Sequence, residues 1–283
     1  MKNTLFIAAL ILASCAHDHG IQPSLSQNDA KEISSSASAA IPIDENLSAT
    51  QLKPDVWLVQ DKSFYDTNVL LAKMPDRNVV IASSFIDTPK TAKLIAWINQ
   101  TLKPKEIRAI NTHFHFDGTG GNEAYHQEGV QTWSTQQTLS LYKARADSMR
   151  SSLADSLNDK QHGKDLRATN NTLADHIFNA ADGLEWDFQG EKLIVYYPGP
   201  AHSPDNLVVY LPSKRILFGG CMVRALDYDL GNTADADLKN YYKSALSLKR
   251  FPAEIVIPGH GQKGGMDLID HTITLASKAS QKP

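Results

Sequence analysis

Residues 111–121 read NTHFHFDGTGG, a stretch in which two histidines flank a phenylalanine and an aspartate follows two residues later. In extended backbone, alternate side chains point to the same side, so His113 and His115 can reach one metal ion while Phe114 packs on the other side. Asp117 is carried on the turn that follows, offset enough to serve a second ion. The glycines after it predict a sharp turn into the next helix. The stretch therefore predicts part of a metal site beside a strand end.

Three other segments have the same form: a short apolar run, a small or turn residue, and then a possible metal ligand. They are IVYYPGPAH at 194–202, ILFGGC at 216–221 and EIVIPGH at 254–260. Strand ends that open into loops can bring such groups together on a rigid scaffold. The ligands predicted for a first ion are His113, His115 and His202, and those for a second are Asp117, Cys221 and His260. Both sets suit zinc, and three protein ligands per ion leave a position open for water, as in catalytic sites.

The remaining histidines of the globular region are interpreted as ordinary polar residues of the core or surface. They are His126, His162, His176 and His271. Taken alone, the GGC segment would indicate a buried thiol and PGHG a turn. The metal hypothesis depends on the joint occurrence of all four segments at strand ends.

The rest of the globular pattern alternates strands with helices. Apolar runs bounded by turn residues predict strands at 56–60, 68–74, 78–84, 106–110, 184–188, 192–197, 206–211, 215–220 and 254–258. Helical spacing predicts helices at 88–102, with Thr88 as N-cap, at 235–249 and from about residue 265. Residues 134–182 are strongly helical, with a break near Gly163 and a second short helix at 173–180, and are interpreted as a helical insertion. The pattern favours a layered α/β or α+β domain.

The first residues, MKNTLFIAALILASC, have a basic residue, a short apolar run and small residues before Cys15. The run has the length of a secretory signal rather than of a membrane span. Residues 1–15 resemble a lipoprotein signal peptide with Cys15 as the lipidation site. The alternative is an ordinary signal peptide in which Cys15 is incidental. Ala16 in the next position is similar to lipoproteins of the outer membrane, so we expect a periplasmic protein anchored there.

Residues 16–48 are rich in Ser and Ala and predict a flexible tether, which leaves 49–283 as the folded domain. With 283 residues and 42% hydrophobic content, the chain can bury a sizeable core. The net charge of -3 gives no basic face for nucleic acid, so we expect no such partner. We also expect a monomer. Only two cysteines are present. If Cys15 is lipidated, Cys221 has no disulfide partner and is either buried or held by a metal.

NTHFHFDGTGG, GPAHSPDN, FGGC and PGHG, in this order, resemble the zinc motifs of the metallo-β-lactamase superfamily across most of residues 50–283. The cysteine, and the absence of a histidine directly after Asp117, are similar to subclass B1. Glyoxalase II and the tRNA-processing nucleases of the superfamily usually carry histidine there and aspartate in place of Cys221. The helical insertion, with GPAHSPDN and GGCMV, is most similar to the SPM-type carbapenemases. The resemblance implies an α+β fold, an αβ/βα four-layer sandwich with two zinc ions in a groove at the sheet edges.

The resemblance also implies an activity, the zinc-dependent hydrolysis of the β-lactam amide of penicillins, cephalosporins and carbapenems, and hence antibiotic resistance. Asp117 would orient the attacking water, and Asn232 would lie near the lactam carbonyl. Arg224 stands where the subclass usually has a lysine that holds the substrate carboxylate, and its guanidinium could pair bidentately. The remaining substrate contacts would come from the flap at 61–67, through Phe64 and Tyr65.

Two departures from the family pattern leave the substrate open. Ser83 stands where most of the subclass has an aspartate behind the ligands, and the flap is short. The alternatives are another hydrolase of the superfamily, such as a thioesterase or lactonase, and a non-catalytic zinc-binding lipoprotein. An Arg224→Ala change separates the enzymes, since an uncharged ester would not need that cation.

Overall fold

The computed structural model describes residues 39–281. The strands are β1 (Ile41–Pro42), β2 (Leu47–Lys53), β3 (Val56–Asp61), β4 (Thr67–Lys73), β5 (Val79–Ala82), β6 (Ile107–Ile110), β7 (Gln131–Thr135), β8 (His176–Phe178), β9 (Leu184–Phe188), β10 (Glu191–Tyr196), β11 (Val208–Leu211), β12 (Ile216–Gly220) and β13 (Ile255–Pro258). The helices are α1 (Thr88–Leu102), α2 (Phe116–Thr119), α3 (Asn122–Gln127), α4 (Gln136–Ser156), α5 (Lys160–Ala168), α6 (Leu238–Ser247) and α7 (Asp267–Ser280).

The strands form two sheets. The first has eight strands in the order β1 to β8, antiparallel up to β5 and parallel from β5 to β8. The second has five strands in the order β13-β12-β11-β10-β9, with one parallel pair, β12 with β13. Parallel neighbours need a crossover connection, and helices supply it in both sheets.

Apolar side chains of the two sheets meet in a central core, to which Val80 and Leu70 contribute from the first sheet and Val209 and Phe218 from the second. The outer face of the first sheet packs against α1 and α3, and that of the second against α6 and α7. The order of layers is therefore helix, sheet, sheet, helix. The predicted α+β four-layer sandwich is confirmed. Within residues 39–281, no helix combines the length and apolarity that crossing a membrane would require.

Helix α1 shows why local sequence places these elements. Its buried residues Leu94, Ile95 and Ile98 recur on one face, as helical spacing predicts. The N-cap is Asp87 rather than the predicted Thr88, because the Asp87 side chain accepts a hydrogen bond of 2.8 Å from the Lys90 amide.

The folded region begins before residue 49, where the tether was predicted to end. Strand β1 pairs with β2, which begins at Leu47, and the Leu47 side chain is buried. Only Leu47 and Ala49 of this stretch point into the core, so its apolar pattern is too short to stand out from a polar segment. Residues 1–38, including the predicted signal peptide and Cys15, lie outside the described residues.

The predicted helical insertion contains α4 and α5, but its second helix was placed wrongly. Helix α5 lies at Lys160–Ala168, and His176–Phe178 is a strand that extends the first sheet beside β7. Gly163 lies inside α5 rather than at a break. A Cβ there would approach the Ala154 carbonyl oxygen of α4 to 2.9 Å, so glycine allows the two helices to pack closely.

Candidate metal centre and active site

All six predicted metal ligands come together where loops leave the two sheets. His113, His115 and Asp117 follow β6 of the first sheet. The other three come from the second sheet, where His202 follows β10, Cys221 directly follows β12 and His260 follows β13. The centre is therefore shared between the sheets.

The three histidines predicted for the first ion form one cluster. His115 Nδ1 lies 3.2 Å from His202 Nε2, and one ring nitrogen from each of His113, His115 and His202 lies within 4.8 Å of the others. Strand β6 ends at Ile110, so the histidines stand on a bend rather than on extended backbone as predicted. Phe114 is fully buried among apolar side chains, but the centre of its ring lies 4.4 Å from that of the His115 ring, so it packs against one ligand rather than on the far side. The predicted convergence of the three histidines is found, although the backbone is not extended.

Asp117 joins this cluster to the second group of ligands. Its Oδ1 lies 3.2 Å from His113 Nε2, and its Oδ2 lies 2.8 Å from Cys221 Sγ and 3.1 Å from His260 Nε2. The other ring nitrogen of His260 lies 3.1 Å from the Tyr65 carbonyl oxygen, which fixes the orientation of the imidazole. Asp117 thus contacts both other ligands predicted for the second ion. The ligand atoms that lie within 4.8 Å of one another there are those of His113, Asp117 and Cys221, and His260 joins this group through Asp117 Oδ2.

Burial and neighbouring charges set the protonation of these groups. Burial opposes ionisation of Asp117, but His113 and His260 outweigh it and hold the pKa of the carboxyl well below its ordinary value. Burial raises the pKa of the Cys221 thiol well above its ordinary value, and the charge of Asp117 adds to this effect. Burial, with the charges on His115 and His113, lowers the pKa of His202 well below its ordinary value. His202 therefore stays neutral, the form that binds a metal.

The residues present fit zinc. The buried Nε2 of His113 has no hydrogen-bond partner within the described part of the chain, although Asp117 Oδ1 lies 3.2 Å away. A cation between the imidazoles would satisfy that atom, and a second beside Cys221 would favour the thiolate next to the Asp117 carboxylate. Three nitrogens at one position, and a nitrogen, an oxygen and a sulfur at the other, are donor sets that zinc accepts.

Two glycines in the ligand loops, Gly118 and Gly259, allow close approach rather than an unusual backbone conformation. A Cβ at Gly118 would overlap the His113 carbonyl, and one at Gly259 would lie 2.5 Å from Cys221 Sγ. Neither residue has a positive φ. Gly118 thus serves close packing, while Gly120 and Gly121 form the predicted turn into the next helix, α3, which begins at Asn122.

Ser83 supports the loop that carries Asp117 through the backbone. Its Oγ donates a hydrogen bond of 2.6 Å to the Asp117 carbonyl oxygen and lies 3.1 Å from Thr112 Oγ1. With a φ of 77°, Ser83 also adopts the left-handed conformation, which is uncommon outside glycine. The hydroxyl therefore anchors the loop but adds no charge behind the ligands.

A cavity of about 640 Å³ opens above the ligands. This volume is that of a site for a small molecule. Its walls include the four predicted substrate-binding residues, four metal ligands, part of α4 and the loop after Arg224. The lining residues are Phe64, Tyr65, His115, Phe116, Asp117, Met149, Ser152, Leu153, Ser156, His202, Arg224, Tyr228, Asp229, Gly231, Asn232, Asp235 and His260.

Arg224 is a buried cation without a charged partner. Its side chain is 7% exposed, its Nε donates a hydrogen bond of 2.6 Å to the Asp229 carbonyl oxygen, and its guanidinium lies 5.6 Å from the centre of the Tyr228 ring. Among residues 39–281, no carboxylate lies within ion-pairing distance of it. A buried charge is costly unless it is paired, so the cavity offers a site for an anion.

The other predicted substrate residues line the same cavity. Asn232 is exposed, and its Oδ1 accepts a hydrogen bond of 3.0 Å from the Ala234 amide, which leaves the side-chain amide donor for a ligand. The flap between β3 and β4 is short, as predicted. Its Phe64 is buried beside the His260 ring, whereas Tyr65 is 66% exposed at the mouth of the cavity.

Sequence analysis missed two groups at this site. Asp235 Oδ2 lies 3.1 Å from His115 Nε2, and its other oxygen accepts a hydrogen bond from Arg145 of α4. Met149 and Leu153 of α4 form an apolar wall. Asp235 is one of several aspartates in its loop, and spacing does not distinguish it from the others. The face of α4 that meets the cavity follows only from how the insertion packs.

The histidines interpreted as ordinary polar residues lie outside the ligand cluster. His126 contacts Thr132, His162 pairs with Asp87, His176 stacks on Trp133, and His271 contacts the Tyr228 carbonyl.

Comparison with known proteins agrees with this geometry. A family model described as the metallo-beta-lactamase superfamily matches residues 91–260. The chain is 31% identical to a metallo-beta-lactamase type 2 from Bacteroides fragilis, over 83% of this chain and 88% of that one. It is 29% identical to a metallo-beta-lactamase type 2 from Bacillus cereus, over 97% and 99% of the two chains. The solved structure of a metallo-beta-lactamase from Pontibacter korlensis superposes with a TM-score of 0.67 at 31% identity, covering 82% and 99% of the two chains.

Proposed function

The chain belongs to the metallo-beta-lactamase superfamily, and from that premise we propose that it is a zinc-dependent enzyme that hydrolyses the amide bond of β-lactam antibiotics. Its substrates would be penicillins, cephalosporins and carbapenems, and its biological effect resistance to them. Zinc is its cofactor, and we assign it to the two ligand groups described above. Within them, the ligand atoms of His113, His115 and His202 lie within 4.8 Å of one another, as do those of His113, Asp117 and Cys221.

The observation that carries the substrate assignment is the buried, unpaired Arg224 in the wall of the cavity that contains the ligands. Penicillins, cephalosporins and carbapenems share a carboxylate next to the lactam nitrogen. Guanidinium and carboxylate can form two parallel charge-assisted hydrogen bonds. A substrate held in this way would present its lactam ring to the metal ligands, whereas an uncharged ester would leave Arg224 unpaired.

Two further residues act on the reacting groups. The Asp117 carboxylate, kept ionised at neutral pH by its histidine neighbours, accepts a proton or a hydrogen bond from the attacking water. The Asn232 amide, free to donate, stabilises the negative charge that develops on the lactam carbonyl oxygen. When bound, zinc supplies Lewis acidity and lowers the pKa of water to about 7.

Within the superfamily, the helical insertion supports our assignment of the chain to the SPM-type carbapenemases. Helix α4 covers one side of the cavity through Met149 and Leu153, while the flap opposite is short. A substrate would therefore be enclosed mainly by the insertion.

The proposed location is the periplasm, with the chain anchored to the outer membrane through acylated Cys15 and otherwise monomeric. The signal-like residues 1–15 and the lipobox-like end at Cys15 support this proposal. Membrane fractionation and metabolic labelling test it. The wild-type protein should be found in the membrane fraction and incorporate labelled palmitate, whereas a Cys15→Ser variant should be soluble and unlabelled. Absence of label from the wild-type protein would contradict the anchor.

The activity is tested by measuring hydrolysis of a chromogenic cephalosporin and of a carbapenem by the purified protein. Turnover should disappear with a chelator and return with zinc. Arg224→Ala should raise KM for both drugs, and Arg224→Lys should retain most of the affinity. A zinc-loaded, folded protein that hydrolyses neither drug would refute the proposal. In that case, turnover of thioesters or lactones that is unaffected by Arg224→Ala would favour another hydrolase of the superfamily. No turnover of any of these substrates would favour a non-catalytic zinc-binding protein.

A further inference from the structure

We propose that Arg145, on the insertion helix α4, is a positioning residue for the three-histidine zinc site: it holds the Asp235 carboxylate, which in turn orients the imidazole of His115.

The contacts form a chain from the helix to the ligand. Arg145 Nη1 donates to Asp235 Oδ1, and Asp235 Oδ2 lies 3.1 Å from His115 Nε2. The opposite ring nitrogen, His115 Nδ1, faces His202 Nε2 at 3.2 Å. One carboxylate thus connects the insertion to the ligand cluster through its two oxygens.

The hydrogen bond at one ring nitrogen decides what the other can do. With a proton on Nε2 donated to Asp235, His115 presents the lone pair of Nδ1 to the metal. A carboxylate at that position also fixes the ring plane and makes the ligand more basic. Loss of the carboxylate, or of its orientation, would therefore weaken binding of the ion held by the histidines.

Asp235 needs an external partner because its loop has no regular secondary structure, as none begins before α6 at Leu238. Among the described residues, the ion pairs of Asp235 are those with Arg145 and His115. The guanidinium of Arg145 lies 5.5 Å from the centre of the Phe114 ring. Phe114 is fully buried and stands between two metal ligands in the chain. Its contact with Arg145 therefore fixes the position of the guanidinium relative to the metal centre.

The inference depends on the zinc site of the proposed function but not on its substrate. Its test is therefore zinc binding, which remains informative whether or not β-lactams are hydrolysed. Zinc affinity is measured by competition with a chromophoric chelator. The thiolate-to-metal charge-transfer absorption of the cobalt-substituted protein reports separately on the ion beside Cys221.

The main variant is Arg145→Gln, which removes the charge and keeps a long side chain over Phe114. Lys143→Gln is the matched control, because it removes the same charge from an exposed position of the same helix. Arg145→Lys should rescue binding, since it restores a cation within reach of Asp235. Asp235→Asn removes the carboxylate directly.

We expect Asp235→Asn to weaken one of the two zinc-binding steps by about 10- to 100-fold and Arg145→Gln to weaken the same step by about tenfold, at the magnitudes known for groups that support metal ligands. Lys143→Gln should bind zinc as the wild type does, and the charge-transfer band of Cys221 should keep its intensity in all variants. In an Asp235→Asn background, Arg145→Gln should add no further loss, because both changes act through one contact.

Three results would overturn the proposal: zinc affinity in Arg145→Gln equal to that of Lys143→Gln, equal weakening of both zinc-binding steps, or additive losses in the double variant. If Arg145→Gln lowers the melting temperature of the metal-free protein, zinc affinity is compared between Asp235→Asn and the double variant. A general destabilisation would weaken zinc binding further in the double variant, whereas an effect that acts through Asp235 would not.

Discussion

The two sides of the cavity are built in different ways. The side that carries the metal ligands stands on loops from two packed sheets, and His113, Asp117, His202 and Cys221 are all buried. The opposite side is α4, which buries only Thr138, Tyr142, Ala146 and Ala154 out of 21 residues. Ligand positions are thus fixed by the main core, whereas the wall is held by a small apolar cluster and by the partly exposed ion pair of Arg145 with Asp235.

This difference separates two tasks. Catalysis needs groups held to within a fraction of an ångström, and the sheets provide such rigidity. Substrate selection tolerates movement, and a helix with few buried contacts can open at low cost. Changes on the sheet side should therefore abolish the reaction for every substrate, while changes to the apolar wall residues of α4, Met149 and Leu153, should alter which substrates are preferred.

The largest effect is expected for His113→Ala, on the sheet side. It removes a ligand of the first ion and a neighbour of Asp117, and metal catalysis contributes several kcal/mol, so kcat/KM should fall by more than about 100-fold for all substrates. Steady-state kinetics and metal content measure the loss. His126→Ala, a histidine outside the cluster, is the control. A His113→Ala enzyme that retains zinc and activity would contradict the assignment of the ligands.

A somewhat smaller effect is expected for Gly259→Ala. The added methyl group would lie 2.5 Å from Cys221 Sγ and equally close to its backbone, so the thiol must move. The charge-transfer band of the cobalt-substituted protein should weaken or shift. Gly265→Ala is a control in the same loop, where the methyl group would lie 3.3 Å from Asp267 Oδ1 and 3.7 Å from the Glu254 carbonyl oxygen. An unchanged band in Gly259→Ala would show that the ligand loop is more adaptable than its packing suggests.

On the α4 side, Met149→Ala and Leu153→Ala should change preference rather than chemistry. Each removes apolar contact area worth about 1–3 kcal/mol in a binding pocket, so kcat/KM should change by about tenfold for substrates with bulky apolar side groups and little for small ones. Kinetics with a matched pair of cephalosporins tests this, and Ser151→Ala, an exposed residue of the same helix, serves as the control. Equal losses for both drugs would mean that the wall shapes the catalytic groups themselves.

The smallest effect concerns how the insertion is attached. His162 of α5 lies with its Nε2 2.7 Å from Asp87 Oδ2. Burial opposes protonation of the imidazole, but the Asp87 carboxylate outweighs it and raises the pKa of His162 above its ordinary value of 6.5. The pair therefore stabilises the fold fully below pH 6.5, and this contribution is lost as the pH rises through the folded-state pKa.

Urea unfolding of the wild type and of His162→Gln should consequently differ more in free energy at about pH 6 than at about pH 9. Asp87→Asn keeps a side-chain oxygen at the cap of α1, and in that background the pH dependence should become much weaker, since only the charge of Asp61 still favours the imidazolium. A constant difference across this range would mean that folding leaves the pKa of His162 unchanged.

The sheet side is also the part that sequence predicts well. Each ligand follows an apolar run that must be a buried strand, so local pattern alone places His202, Cys221 and His260 at strand ends. The order of the four layers was predicted from the resemblance of those motifs to the metallo-β-lactamase superfamily, not from the periodicity of apolar residues. The early strands β1 and β2 were missed because both residues of β1 are exposed and β2 fully buries only Leu47 and Ala49.

The α4 side could not be predicted in the same way. Arg145 and Asp235 are 90 positions apart, and neither has a local partner that marks it. The close approach of Gly259 to Cys221 likewise depends on the distance between the loop after β12 and the loop after β13. The sequence of neither loop alone shows it. Such contacts arise only from tertiary packing, which periodicity does not encode.

The division of the ligands between two sheets has a consequence for folding. Asp117 and His260 are 143 positions apart, and the Asn68 side chain of β4 donates to the Gly261 carbonyl oxygen at 2.8 Å, next to that histidine. Contacts so distant in sequence form late, after the entropy of closing a long loop has been overcome. The complete zinc site therefore arises only once the sheets have docked, and bound metal favours the docked state by mass action. Bound zinc would therefore cross-link the loops of the two sheets and oppose their separation.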